Sequence, residues 1–183
     1  MNSTVLAEKL TAVELKSTYD LKVDSIRDLN QALHNSDLVE AIEQWTVKNP
    51  AGQHNIAVGI TAPIQVTIDG HAGYYCAGMN QEADVVVNGN VGVGCAENMM
   101  SGSVYIKGNA SQAAGATAHG GLLVIEGDAG ARCGISMKGV DIVVGGRIGH
   151  LSCFMGQEGG LGVCGDAAVP LDASLIETCL CLK

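Results

Sequence analysis

A glycine recurs every nineteen residues between residues 70 and 165, with no insertion or deletion between repeats. A short apolar run precedes each glycine, in the forms VTIDG, VVVNG, VYIKG, LVIEG, IVVGG and LGVCG. We call these six glycines the anchors of the repeat: Gly70, Gly89, Gly108, Gly127, Gly146 and Gly165. A period of about 20 residues is typical of a solenoid, in which each repeat forms one coil and buries its apolar side against its neighbours.

Three positions of the repeat are apolar in every copy: four and two residues before the anchor, and two residues after it. The residues directly beside the anchor are mostly polar, and such alternation predicts a strand with one face inside. The predicted fold is therefore an all-β solenoid, a right-handed parallel β-helix of about six to seven 19-residue coils. The alternative is a left-handed hexapeptide helix, but the sequence shows no six-residue sub-period.

The anchors are predicted to be the corners of the coil. Asn or Asp often follows the anchor, as in Gly89-Asn90 and Gly108-Asn109, and this pairing is typical of turns with positive φ. Residues 89–94 (GNVGVG) superficially suggest a nucleotide-binding loop. Their glycines belong to columns of the repeat and no crossover helix follows, so corner geometry is the better interpretation.

Residues 1–55 lack the period and are predicted to form an N-terminal cap, followed by the β-helix at residues 56–183. Ser25–His34 predicts a helix capped by Asp24 or Ser25. Leu38–Trp45 suggests a second short helix, and Trp45 is expected to close one end of the solenoid. The final SLIETCLCLK predicts one more strand.

Charge and hydropathy exclude several partners. The formal net charge of −9 argues against nucleic acid and against an anionic membrane surface. No apolar run is long enough for a membrane helix, and the N-terminus lacks the pattern of a signal peptide. We therefore expect a cytoplasmic protein whose seven cysteines are reduced thiols.

Few residues suggest chemistry, and we predict no catalytic, cofactor-binding or metal-binding residue in this chain. Cys76, Cys95 and Cys133 share a column with Ala114 and Ser152, which favours small core residues over a metal site. The Cys179–Cys181 pair lacks a second pair of ligands. The histidines show no metal-ligand spacing. Acidic residues at 69, 126, 128 and 166 permit a polysaccharide hydrolase, although no aromatic platform for sugars accompanies them.

Methionines recur in the segments between strands. If they form a row on the surface, they suit a protein interface, but stacked methionines can equally fill the core. Both interpretations stay open at this point. The residues concerned are Met79, Met99, Met100, Met137 and Met155.

Several segments resemble the GXGXG domain, which forms the C-terminal part of the large subunit of glutamate synthase. They are Tyr74–Asn80, Cys95–Gly102, Ser111–Gly139 and Ile142–His150. The resemblance extends from about Leu21 to Asp172 and is greatest to the free-standing GXGXG subunits of N-methylglutamate synthases. The related β-helix subunit of formylmethanofuran dehydrogenase shares the coil pattern with less of the detailed sequence, and the C-terminal CLCLK departs from the family pattern.

The resemblance implies a structural subunit of a hetero-oligomeric, flavin-dependent complex. Its expected partners are a glutamine-amidotransferase-like subunit and an FMN-binding synthase subunit, with FMN and an iron–sulfur cluster in the partner subunits. The chemistry implied is formation of N-methyl-L-glutamate and ammonia from methylamine and L-glutamate. Two alternatives remain: a scaffold of a formyl-transferring metalloenzyme complex of the formylmethanofuran dehydrogenase type, and a free-standing β-helix hydrolase.

Overall fold

The structure, a computed structural model, describes residues 15–165 and the backbone of the strand at residues 179–182. Within these residues, nine strands form one parallel sheet whose spatial order follows the chain. This confirms the predicted parallel β-helix, while the hand of the coil stays a prediction. The strands are β1 (Thr18–Asp20), β2 (Gln44–Lys48), β3 (Gln65–Asp69), β4 (Asp84–Val87), β5 (Ser103–Ile106), β6 (Leu122–Ile125), β7 (Lys138–Val144), β8 (Glu158–Val163) and β9 (Cys179–Leu182).

The strand register reproduces the sequence period. From Gln65, which pairs with Asp84, to Gly160, which pairs with Cys179, six successive pairings are nineteen residues apart. The strand predicted in the final segment is thereby confirmed as β9. The first step is longer, because helices α1 (Ile26–Leu33) and α2 (Ser36–Ala41) lie between β1 and β2. The second step, in which Gln44 pairs with Gln65, exceeds the period by two residues without an intervening helix. The sheet thus starts before residue 55, although the division into cap and β-helix stays a prediction.

The three apolar columns form the core. Their described members are at most 5% exposed. The columns before the anchor lie on the sheet, where Val66 pairs with Val85 and Ile68 with Val87. The column after the anchor forms a second line of parallel bridges, running from Ala72 to Ile148. A narrow interior of aliphatic side chains therefore runs along the coils from β3 to β8.

The anchor glycines are required because neighbouring coils approach each other closely at these positions. The reason predicted from the sequence, a corner with positive φ, is wrong for most of them. Of the six, only Gly70 has a positive φ, at 136°. A Cβ on Gly108 would lie 2.3 Å from Asn90 Oδ1 and 2.7 Å from Gly89 O. The Gly108 N–H also donates to Gly89 O at 3.1 Å. Glycine is needed here because the coils touch backbone to backbone.

The polar residues after the anchors form a ladder of hydrogen bonds between coils. The Asn109 N–H donates to Asn90 Oδ1 at 2.8 Å, and the Asp128 N–H donates to Asn109 Oδ1 at 2.8 Å. Asn90, Asn109 and Asp128 do not have the positive φ that the Gly-Asx pairing predicted. Their side-chain oxygens occupy the space that a Cβ on the next anchor would need. The glycine and Asx columns therefore depend on each other.

Helix α1 covers the N-terminal end of the solenoid. The Ser25 side chain caps it by accepting from the Asp28 N–H at 3.1 Å, as predicted. From the same helix, Asn30 accepts from the Ala57 N–H at 3.1 Å and donates to Asn55 O at 2.8 Å. Asn30 thus provides the backbone of residues 55 and 57 with the hydrogen bonds that a further coil would otherwise supply.

The second predicted helix is wrong in extent. Helix α2 ends at Ala41, and Trp45 lies on β2, where it pairs with Val66. The alternating burial of β2 explains the difference, since Trp45 and Val47 point inward as strand residues do. Trp45 continues the core column of Val66 and stacks on Tyr19, with ring centroids 6.2 Å apart.

Candidate interaction surface

Each coil leaves the sheet through a segment with an unusual alternating backbone. Residues five, seven and nine positions after an anchor have positive φ, as at Tyr75 (58°), Ala77 (53°) and Met79 (55°). The same three columns continue to residues 151, 153 and 155. Non-glycine residues in this region each cost about 1–2 kcal/mol. Other interactions must therefore hold these segments in place.

Backbone hydrogen bonds between coils offset that cost. The Tyr75 and Met79 N–H groups donate to Val93 O (2.9 Å) and Glu97 O (2.8 Å) of the following coil. The Ala77 N–H donates in the other direction, to Ile56 O at 3.0 Å. The segments thus stack as regularly as strands. We call the surface they form the turn face, made of residues 54–59, 74–79, 93–98, 112–117, 131–136 and 150–155.

The methionines divide between surface and core. Met79, Met100 and Met155 are 50%, 48% and 57% exposed, whereas Met99 and Met137 are fully buried. The five methionines do not form one row, because they stand nine, ten or eleven residues after their anchors. The burial of Met99 and Met137 follows from their position one residue further along the coil, where the side chain points inward.

Exposed aromatic rings are concentrated at one part of the turn face. Tyr74 and Tyr75 are 49% and 46% exposed. The His54 ring stacks on Tyr74 with centroids 4.4 Å apart. A Cβ on Gly92 or Gly94 would lie 2.8 Å from the Tyr74 or Tyr75 ring. These glycines therefore leave room for the rings. Two adjacent tyrosines with glycines one coil later are visible in the sequence. This pattern indicates exposed rings, but none of the predictions above is based on it.

A cavity of about 240 Å³ lies beside these rings. Its walls come from three successive coils, which bring together an aromatic ring, a thioether, amides and one carboxylate. The lining residues are Asn55, Val58, Tyr75, Gly78, Met79, Glu97 and Asn98.

The outer side of the sheet is a second partly apolar surface, which we call the sheet face. Residues three positions before the anchors point outward, and several are valines. Leu122 and Val143 are the most exposed apolar residues there, at 41% and 39%. The sheet face and the turn face are different sides of each coil, so two proteins could contact the rod without competing.

The cysteine column is part of the core, as predicted for small buried residues. Cys76, Cys95 and Cys133 are fully buried, and so is Ala114 in the same column. Contact with the Cys76 thiol and burial raise the pKa of Cys95. Burial raises the pKa of both Cys133 and Cys153 to about 12. The thiols of Cys95, Cys133 and Cys153 are therefore protonated at neutral pH in the folded protein. The side chains of Cys179 and Cys181 lie outside the described residues.

We expect alkaline pH to weaken the fold through these thiols. Because their pKa is higher in the folded protein, the unfolded chain loses its thiol protons first, from about pH 9. The free energy of unfolding should therefore fall between pH 9 and 12, with its full thiol contribution present below pH 9. Urea unfolding of the wild type and of Cys133→Ala measures this, and the variant should show the shallower decline. Equal declines would contradict the assignment.

The acidic candidate residues that the structure describes are bound to different partners and do not form one site. Asp69 Oδ1 accepts from Asn88 Nδ2, Glu126 from the Tyr105 hydroxyl, and Asp128 pairs with Arg147 at 3.0 Å. Asp166 lies outside the described residues. Within the described part of the chain, no three His, Cys, Asp or Glu side chains are grouped closely enough to hold a metal. In that part, too, no helix has the length and hydropathy needed to cross a bilayer.

Comparison with known proteins gives one partial relationship. The chain is 54% identical over 61 residues to Protein GlxC of Rhizobium meliloti (strain 1021). The match covers 33% of this chain and 27% of that protein. The match thus spans about a quarter of the length of its curated relative. No protein-family model matches the chain, and no solved structure matches it.

Proposed function

We propose that the chain is a non-catalytic structural subunit of a flavin-dependent, glutamate-synthase-like complex, and specifically of N-methylglutamate synthase. In this complex, methylamine and L-glutamate give N-methyl-L-glutamate and ammonia. An amidotransferase-like subunit and an FMN-binding synthase subunit perform the chemistry, and this chain holds them at a fixed distance. The GXGXG motifs support the proposal, and the partial similarity to Protein GlxC fits a subunit of that type.

The observation that carries the proposal is the unbroken stacking of coils. Nine parallel strands in chain order span roughly 38 Å at about 4.8 Å per step. Both the sheet and the turn segments pair with the coils on either side, so bending the rod would break hydrogen bonds in both. Such a rod keeps two partners apart at a constant distance.

The surfaces of the rod suit this role. A spacer needs two separate contact areas, and both the turn face and the sheet face expose large apolar side chains. A hydrolase is less well supported. Asp69 and Glu126 are three coils apart, or roughly 14 Å, which exceeds the ~5–10 Å that separates the carboxylates of glycosidases. Glu126 and Asp128 are closer in sequence, but Glu126 accepts from the Tyr105 hydroxyl and Asp128 pairs with Arg147.

Purification of the native complex tests the proposal. The full-length chain, tagged and expressed in its own organism, should retain an amidotransferase-like protein and a flavoprotein identified by mass spectrometry. The complex should show FMN absorbance and form N-methylglutamate from methylamine and glutamate. If the chain purifies alone, or with a metalloenzyme that transfers formyl groups, the proposal fails.

Substitutions on the sheet face test the spacer role itself. The double variant Leu122→Lys, Val143→Lys places two charges on exposed apolar positions and should leave the fold intact. We expect it to lose one partner subunit and retain the other, measured as subunit ratios in the purified complex. Gln65→Lys, an exposed position on the same face, is the matched control. Retention of both partners by the double variant would show that the sheet face is not a contact area.

A further inference from the structure

We propose that the cavity on the turn face receives the guanidinium group of an arginine side chain from a partner protein. This deepens the proposed function by naming the chemistry of one contact. It rests on that function only in requiring that the chain works within a complex.

Gly94 lacks the side chain that the equivalent residues of neighbouring coils carry, and this absence creates the space for the site. The equivalent residues in neighbouring coils, Tyr75 and Ala113, have positive φ without being glycine, so the backbone alone does not require Gly94. A Cβ on Gly94 would lie 2.7 Å from Glu97 Oε2 and 2.8 Å from Tyr75 Cδ1. The missing side chain therefore lets the carboxylate and the aromatic ring share one small space.

Glu97 departs from its column as well. The described residues eight positions after the other anchors are Gly78, Ala116, Ile135 and Phe154, and Glu97 is the charged member of this set. Glu97 is partly buried, and its carboxylate has no hydrogen bond or ion pair with any described residue. Its two oxygens are therefore available to accept hydrogen bonds from another molecule. A cation from another molecule would supply the missing partner.

A guanidinium group matches these walls better than an ammonium group. Its planar face stacks on an aromatic ring such as that of Tyr75, while its N–H groups donate in parallel to a carboxylate such as that of Glu97. Met79 also lines the cavity and offers a polarizable apolar contact. The net charge of −9 also favours a basic partner surface.

The dimensions of the cavity favour an arginine of a protein over a free small ligand. Its volume of about 240 Å³ is below the ~300–1,000 Å³ of typical ligand pockets. Tyr75 and Met79 are about half exposed, at 46% and 50%, and Tyr74 beside them is 49% exposed. A protein surface would cover these rims in addition to filling the cavity. Tyrosine, methionine and arginine are all enriched at protein interfaces.

The test titrates the full-length, ¹⁵N-labelled chain with N-acetyl-L-arginine methylamide, followed by NMR. Shifts should be confined to amides around Tyr75, Gly78 and Glu97. The citrulline analogue, which has a similar shape without the charge, should bind at least tenfold more weakly, and the lysine analogue should also be weaker. Equal binding of the arginine and citrulline analogues would overturn the proposal, and so would equal binding of arginine and lysine.

Matched variants assign the effect to the site. Glu97→Gln should weaken arginine binding at least tenfold, whereas Glu126→Gln on the sheet face should leave it unchanged. Gly94→Ala should abolish binding by filling the space, yet the variant should fold, since Ala113 has the same backbone conformation. Unchanged binding in either site variant overturns the proposal.

A third probe separates the two sources of a guanidinium group. Methylguanidinium should bind more weakly than the arginine analogue, and equal or tighter binding of this free cation would assign the cavity to a small ligand instead. All these measurements use the chain without its partners. A complex of different composition would therefore refute the proposed function without affecting the result for the cavity, and the reverse also holds.

Discussion

Gly108→Val should destabilise the fold by about 4 kcal/mol or more, or prevent folding altogether. Any Cβ at this position would lie 2.3 Å from Asn90 Oδ1 and 2.7 Å from Gly89 O. The larger side chain must push two coils apart, which breaks the Gly108–Gly89 hydrogen bond and the Asn109–Asn90 bond beside it. Urea unfolding followed by circular dichroism measures the loss of free energy.

Gly162→Ala is the control for this effect. Gly162 lies on β8, and among the described residues the nearest atom to an added Cβ is Ile142 O at 3.9 Å. Because glycine in a strand is less favourable than alanine by about 0.5–1 kcal/mol, this variant should be as stable as the wild type or slightly more stable. A Gly108→Val protein that unfolds at the wild-type urea concentration would show that the coils can separate at no cost.

Trp45→Ala should cost about 3–5 kcal/mol, the usual range for a buried tryptophan. The Trp45 side chain is 1% exposed and continues the core column at the N-terminal end of the solenoid. Its removal leaves a cavity between Tyr19 and the first regular coils. Circular dichroism during urea unfolding is the appropriate measurement, since this residue is the only tryptophan of the chain.

Trp45→Phe separates packing from hydrogen bonding. The phenyl ring retains most of the apolar contact but cannot replace the indole N–H, which donates to Ile42 O at 2.9 Å. We expect an intermediate loss of about 1–3 kcal/mol from the unpaired carbonyl and the smaller ring. If Trp45→Ala were as stable as the wild type, the end of the solenoid would not depend on this side chain.

The sequence was sufficient to predict the parallel coil because the repeat has no insertions. Once Val66, Val85 and Val104 are aligned, the register of the sheet and the inward columns follow directly. The predicted helix at Ser25–His34 was also correct, since its cap and its apolar face are local signals. The role of the anchors was not predictable in this way, because it depends on atoms of another coil, such as Asn90 Oδ1 beside Gly108.

The turn face was less accessible to prediction. Ala77 and Met79 have positive φ against their intrinsic preferences, and the bonds that hold them lie in neighbouring coils. Whether a methionine is buried depends on a difference of one residue in its position within the coil, so Met99 is buried while Met100 is exposed. The candidate cavity required the structure, because its walls join residues from three coils.

The Asx ladder limits how the length of this rod can change. Each Asx oxygen serves the residue nineteen positions later, so Asn90 must stand opposite Asn109, and Asn109 opposite Asp128. Inserting or deleting a few residues would shift every later acceptor away from its donor. Inserting or deleting one whole coil would preserve all the remaining pairs. The separation of the two ends can therefore be altered by recombination of repeats only in increments of one coil, about 4.8 Å each.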